Sequence, residues 1–142
     1  MTGVQTCALP ISENVQEAIR KAKEQTAEFR EHTLTLALNY GARDEILRAV
    51  RTLSAAAGRG ELKPEEISEA DMTHALDTAN LPDPDLIIRT SGELRLSNFL
   101  LWQASYAELW FPETLWPDFS KEEFEQALLQ YSQRRRRFGA RS

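Results

Sequence analysis

Leu86, Ile87 and Ile88 stand side by side in the segment Asp85 to Thr90, just after Pro82 and Pro84. A strand with one wet face alternates apolar and polar residues. An unbroken apolar run of this length predicts a strand covered on both faces, as in the middle of a parallel sheet. Parallel strands cannot be joined by tight hairpins; they need crossovers, which are usually helices. Helical patterns flank this run on both sides. The expected fold class is therefore α/β, a parallel sheet with flanking helices and right-handed crossovers.

The rest of the chain fills in that frame. Asn14 to about Arg30 places Val15, Ala18, Ile19, Ala22, Thr26 and Phe29 on one stripe at helical spacing. Leu34, Leu36 and Leu38 alternate with Thr35 and Ala37, which predicts a strand ended by Gly41. A helix is expected from about Arg43 to Ala57, with Ile46, Leu47, Val50 and Leu53 inward, until Gly58, Arg59 and Gly60 break it. Pro64 suits the first turn of a short helix. Ser68 with Asp71 three residues on resembles a helix start ahead of Met72, Ala75 and Leu76. Ser97 is the expected N-cap of a helix through Phe99, Leu100, Leu101 and Trp102. Ala107 to Phe111 reads as a third strand. Trp116 and Pro117 make a turn, and Ser120 with Glu123 opens a last helix carrying Phe124, Ala127, Leu128 and Tyr131. Three strands are few for a doubly wound sheet, so the chain is expected to be part of a larger domain.

The 142 residues make about one domain, and one cysteine leaves no internal disulfide framework and no cysteine-built zinc site. A reducing, cytoplasmic setting fits. No apolar run approaches the ~20 residues that span a bilayer. Lys and Arg number 17 against 22 Asp and Glu, a balance that argues against a nucleic-acid coat. Arg134, Arg135, Arg136, Arg137 and Arg141 crowd the last nine residues, and without them 12 basic residues face 22 acidic ones. That tail is either a solvated helix end or a partner for an anionic ligand. Residues 1–12 (MTGVQTCALPIS) carry no charge and the only cysteine, Cys7. They read as a foreign leader or, failing that, a native flexible terminus, with residues 13–142 forming the domain proper.

Ligands of open parallel sheets gather at the carboxyl ends of the strands. After the central strand come Arg89, Thr90, Ser91, Gly92, Glu93, Arg95 and Ser97. Arginine forks match phosphate oxygens, and the N–H groups of a helix start add positive charge. The loop suits a phosphate or diphosphate, although Arg89 could instead pair with Glu93 or Asp85. Glu108 sits among Tyr106, Leu109, Trp110 and Phe111, where a carboxylate must be paired. It is either salt-bridged to a nearby arginine or a ligand for a hard cation such as Mg²⁺. His32 and His74 lack companions at metal-ligand spacing. Trp102, Trp110 and Trp116 read as core or interface anchors. Asn39 and Arg43, flanking Gly41, serve either a turn or the site.

The segments LTLALNYGARDEI, PDPDLIIRTSGELRLSNFLLWQASYAELWF, LWPDF and RRRRFG, in that order, closely resemble the cis-prenyltransferase family, which includes the bacterial undecaprenyl diphosphate synthases. The resemblance runs from about Asn14 to Gly139. It implies condensation of isopentenyl diphosphate onto an allylic diphosphate, with a Z double bond formed at each step and Mg²⁺ assisting departure of the allylic diphosphate. It implies that Arg89, Arg95 and Ser97 hold isopentenyl diphosphate, with Leu96 between them, and that Glu108 contributes to the Mg²⁺ site. It also implies that Arg137, Phe138 and Gly139 reach toward the diphosphate across a homodimer interface. A polyprenyl product would bring the enzyme to a membrane surface peripherally.

The family's amino half has no counterpart in these residues. That half carries the first strand, its phosphate-binding loop and the aspartate that completes the metal site, so no catalytic residue is assigned and the chain alone is expected to be inactive. The edge of the first strand should then be bare and prone to self-association. Ala42 stands where the family commonly has a second glycine. Two other classes remain open: a non-catalytic partner subunit of a two-component prenyltransferase, and an unrelated phosphate-binding module. Retention of Arg89, Arg95, Ser97 and Glu108 favours a catalytic parent.

Overall fold

A computed structural model describes residues 11–134. Cys7 and the tail residues Arg137, Phe138 and Gly139 lie outside the described residues. The chain divides into two units, one ending at Tyr40 and one beginning at Gly41.

In the first unit, α1 spans Glu13–Gln25 and buries none of its residues. Arg20 sits between Glu17 and Glu24, donating to them at 2.6 and 2.9 Å, so ion pairs one turn apart line the polar face. The helix stops five residues short of the expected Arg30, and Phe29 is left exposed. The strand expected at Leu34, Leu36 and Leu38 is absent among the described residues; the segment carries no ladder, and all three leucines are exposed. Alternation marks a face that needs covering. It does not supply the neighbouring backbone whose N–H and C=O groups make a strand.

The second unit begins with α2, Ala42–Gly58, whose first turn carries Asp44 and Glu45, matching the positive end of the helix dipole. A 3-10 turn at Pro64–Glu66 leads to α3, Glu69–His74. The expected capping box is present there: the Asp71 N–H donates to Ser68 Oγ, and the Ser68 N–H donates back to Asp71 Oδ2. β1, Leu86–Ile88, and β2, Glu108–Trp110, then pair in parallel with Leu86 opposite Glu108 and Ile88 opposite Trp110. α4, Lys121–Gln133, opens on the second capping box, Ser120 with Glu123. Side-chain caps of this kind contribute about 1 kcal/mol each.

Two strands form the sheet of the described residues, where three were expected. Only Ile87 of the apolar run in β1 is buried; Leu86 and Ile88 are half-buried, so β1 is less covered than its sequence predicts. The core lies between helices instead. Ala49, Met72 and Leu76 are buried together, with Ile46, Leu53, Ala75 and Trp102 packed around them. Of the other tryptophans, Trp116 is exposed and stacks on Phe119 at 6.1 Å, while Trp110 tilts against the same ring.

The helix expected from Ser97 through Trp102 does not form. Ser97, Asn98 and Leu100 have φ of 48°, 64° and 46°, in the left-handed region, and only a 3-10 turn follows at Gln103–Tyr106. A right-handed helix needs φ near −60° at every residue. Asn98 is instead committed to the start of α2, as described below.

Outside this core, Arg48 donates to both carboxylate oxygens of Asp77 at 2.8 and 2.7 Å and to Asp44 at 3.1 Å. The Arg48 guanidinium holds the Asp77 carboxyl below its usual range, and in return Arg48 is held above its own. Both side chains are about half exposed, so the pair contributes at most about 1 kcal/mol. Because Asp77's folded pKa is lowered, that contribution is present above the unfolded value of 3.8 and is lost as pH falls through the folded one. Arg48→Gln is therefore expected to be slightly less stable than the parent chain at pH 7. In urea titrations run down through pH 4 to pH 2 the two should converge; a gap that persists or widens in acid contradicts this account.

Candidate functional site

β1 delivers Arg89 to the carboxyl end of the sheet. The Arg89 N–H donates to the Trp110 carbonyl at 2.9 Å, continuing the ladder one residue past the strand. The chain then turns through Ser91 and Gly92, whose N–H groups donate to the Thr114 and Pro112 carbonyls at 2.8 Å each. Both residues have positive φ, 71° and 64°, the second at a glycine, which adopts it without steric cost. This folds the loop back on itself. The Arg89 guanidinium donates to the main-chain carbonyl of Arg95, so the two arginines named from sequence are brought together. Glu93 does not take Arg89 in an ion pair. Glu93 pairs with Arg95 instead.

The resulting loop is a cationic hairpin with one internal anion. Arg89 is half-buried and its geometry is fixed by the Arg95 carbonyl. Arg95 is well exposed and neutralised by Glu93, so an arriving anion has to compete with that carboxylate. Leu96 is half-buried, and its carbonyl accepts from the Phe99 N–H at 3.1 Å. Ser97 is exposed and left-handed; it is not the helix cap expected from its sequence context.

Glu108 is placed elsewhere. It opens β2 opposite Leu86, three residues before the level of Arg89. At about 3.3 Å per residue that is ~10 Å along the strand. Its carboxylate accepts from Arg134 Nη1 at 2.5 Å, and the same nitrogen reaches the Leu109 carbonyl at 3.4 Å. Of the two partners open to Glu108 in the sequence, the described residues supply the arginine. Among the described residues no three His, Cys, Asp or Glu side chains converge on a metal position. Glu108 can offer one oxygen donor to a hard cation, but these residues do not build a Mg²⁺ site by themselves. His74 Nδ1 donates to the Ala70 carbonyl within α3 at 2.6 Å.

Two further features had not been singled out from the sequence. Asn98 joins the loop to α2: its carbonyl accepts from the Ala42 N–H and its Oδ1 from the Arg43 N–H, both at 2.9 Å. Glu45, 1% exposed, accepts from the Asp77 N–H at 2.9 Å and from Gln103 Nε2 at 3.3 Å. Gln103 Nε2 also donates to Thr78 Oγ1 at 2.9 Å, while the buried Gln103 Oε1 has no hydrogen-bond partner. Helical spacing gave a signal for Glu45, which shares one face of α2 with the buried Ala42 and Ala49. Nothing local marks Asn98. A separate groove of about 440 Å³ runs between α2 and α3, lined mainly by Ile46, Val50, Leu53, Ile67, Met72 and Trp102. Its apolar walls do not suit a diphosphate.

Comparison with known proteins agrees on the family. The family model described as putative undecaprenyl diphosphate synthase matches residues 5–139. The isoprenyl transferase of Rhizobium meliloti (strain 1021) is 51% identical over 129 residues, which are 91% of this chain and 52% of that protein. A tritrans,polycis-undecaprenyl-diphosphate synthase (geranylgeranyl-diphosphate specific) of Thermoplasma volcanium is 46% identical over 129 residues, 91% of this chain and 50% of its own length. Among solved structures, lavandulyl diphosphate synthase from Lavandula x intermedia, in complex with dimethylallyl diphosphate, superposes with a TM-score of 0.86 at 37% identity. That match covers 98% of this chain and 58% of the other. A probable undecaprenyl diphosphate synthase from Campylobacter jejuni gives 0.73 at 40% identity, covering 92% and 58%. The chain thus spans about half the length of the curated relatives it matches. With the motifs in order and the match extending over nearly all of its residues, the chain belongs to the cis-prenyltransferase family, that of the undecaprenyl diphosphate synthases.

Proposed function

We propose that this chain carries the isopentenyl diphosphate site of a Mg²⁺-dependent cis-prenyltransferase, and that the 142 residues alone do not turn over. The observation that supports this most is the bond from the Arg89 guanidinium to the Arg95 carbonyl, which sets two arginines on one small loop at the carboxyl end of β1. Arg89 and Arg95 would grip the diphosphate, with Ser97 adding a hydroxyl and Leu96 packing between them. Arg137, Phe138 and Gly139 would reach the diphosphate across a homodimer. Glu108 would give Mg²⁺ one carboxylate oxygen after releasing Arg134, and the ion's remaining ligands would come from outside the described residues.

The chemistry asks for these groups. As the allylic diphosphate departs, positive charge develops on carbon and negative charge on the leaving group, so donors must already be aimed at the phosphoryl oxygens. The alkene of isopentenyl diphosphate must also be held close to the carbon it attacks, which is the role of a fixed diphosphate anchor. The allylic substrate, the growing polyprenyl chain and the metal-completing carboxylate would occupy the portion of the enzyme represented in the other half of the relatives. No described helix is long and apolar enough to cross a membrane; a cytoplasmic enzyme touching a membrane only through its lipid product fits the reading.

The test pairs two measurements on the 142-residue chain. Calorimetry should show isopentenyl diphosphate binding. Incorporation of labelled isopentenyl diphosphate, with farnesyl diphosphate and Mg²⁺ present, should show no product above background. Robust turnover would refute the inactivity, and absence of binding would refute the diphosphate site.

A further inference from the structure

We propose that Asn98 is the positioning residue of the diphosphate loop, holding its carboxyl end in register through the start of α2. This rests on the diphosphate reading of Arg89, Arg95 and Ser97 and adds what keeps them in place. The amino end of the loop is fixed by the sheet, through Arg89, Ser91 and Gly92. Its middle is fixed by Arg89 reaching the Arg95 carbonyl. Its far end, at Ser97, has no ladder and no helix of its own to hold it. Asn98 supplies the anchor.

The first N–H groups of a helix have no partner within the helix. In α2 they are not satisfied by the N-cap, Gly41, which has no side chain. Asn98 satisfies two of them from 55 residues away, one with its main-chain carbonyl and one with its side-chain Oδ1. The approach is close: a Cβ on Gly41 would lie 2.9 Å from Asn98 Nδ2. Glycine at position 41 therefore leaves the space that the Asn98 amide fills, although its own φ of −152° would suit any residue. At position 98 the backbone is left-handed, φ 64°, a conformation asparagine tolerates better than most residues. Few side chains can take that backbone and also offer an acceptor. Asn98 touches no substrate in this scheme. Its effect is to fix Ser97, its chain neighbour, and hence the reach of Leu96 and Arg95, before any anion arrives. An anion that meets an ordered loop does not bear the cost of ordering it.

The experiment titrates the 142-residue chain with inorganic pyrophosphate by calorimetry and compares three variants. Asn98→Gly keeps the left-handed backbone and the main-chain carbonyl and removes only the side-chain acceptor. Gly41→Ala leaves Asn98 in place and pushes on its amide from the other side. Each should weaken pyrophosphate binding about 3- to 10-fold, the scale of one neutral hydrogen bond. The double variant should be no weaker than the worse single, because both act through one contact. Amide exchange by NMR should show the Arg43 N–H losing protection in Asn98→Gly while the Ala42 N–H, bonded to the main chain, keeps it. Wild-type affinity in Asn98→Gly, or additive losses in the double variant, would overturn the positioning role and leave the diphosphate site standing. If Asn98→Gly folds too poorly to titrate, unchanged binding by Gly41→Ala overturns it. Failure of the parent chain to bind pyrophosphate would overturn the diphosphate reading and this inference with it.

Discussion

Arg89→Ala will bind isopentenyl diphosphate at least tenfold, and as much as about 150-fold, more weakly than the parent chain. The range follows from the 1.5–3 kcal/mol that a hydrogen bond to a charged group contributes, with 1.4 kcal/mol per tenfold. Arg89 is expected to lie at the upper end for two reasons. The residue as a whole is half-buried, so its charge is less screened than that of a fully exposed cation. It also bonds the Arg95 carbonyl, so its removal both deletes a donor and loosens the turn that presents the second arginine. Arg95→Ala should lose less. Arg95 is already partly spent on Glu93, and an anion that binds it must first displace that carboxylate. By the same logic Glu93→Gln should tighten binding a few-fold. Arg89→Lys should recover little, since an ammonium keeps the charge but not the planar fork that serves carbonyl and phosphate together. Calorimetric titrations at fixed ionic strength give the order directly. Equal losses at Arg89 and Arg95, or weaker binding in Glu93→Gln, would contradict the loop geometry described above.

The sequence made legible what depends on local chemistry. The two capping boxes at Ser68 and Ser120 are satisfied as read, because a serine followed three residues later by an acid closes its own bonds without help from the rest of the chain. β1 and β2 lie where the apolar runs place them. What failed depends on partners distant in sequence. Leu34, Leu36 and Leu38 have the alternation of a strand, but among the described residues no neighbouring backbone pairs with them. Ser97 has the look of a cap, yet the residue after it is captured by α2, and the segment bends through left-handed backbone instead of entering a helix. Within the site, Arg89 and Arg95 were legible as a pair because both stand on one short loop. The assignment of Glu93 to Arg95 rather than to Arg89 was not, since it turns on which way the loop folds back. For Glu108 both readings, an arginine or a hard cation, were open in the sequence; only the fold brings Arg134, just past α4, to its carboxylate.

Glu45→Ala is expected to destabilise the chain by about 2–4 kcal/mol, a large share of the roughly 5–15 kcal/mol that holds a domain folded. Glu45 is 1% exposed, and its carboxylate accepts from the Asp77 N–H and the Gln103 amide. These lie beyond α3 and in the 3-10 turn after Trp102, so one side chain ties α2 to two segments far away in sequence. Truncation leaves the Asp77 N–H without this acceptor and strips from Gln103 Nε2 its contacts to both Glu45 oxygens, leaving Thr78 Oγ1. Unmet buried donors cost more than the net worth of the bonds they made, and the vacated volume adds a cavity term. Glu45→Gln should behave differently. It preserves shape and one acceptor oxygen, and its new amide brings donors into a cluster where the buried Gln103 Oε1 has none. A modest rearrangement of the two amides can then pair that oxygen, so the loss should stay below about 1 kcal/mol. Urea unfolding of the parent chain and the two variants at pH 7 separates the cases. Nearly equal destabilisation by alanine and glutamine would mean that what matters at position 45 is the carboxylate's charge, and that the hydrogen-bond account of this junction is wrong.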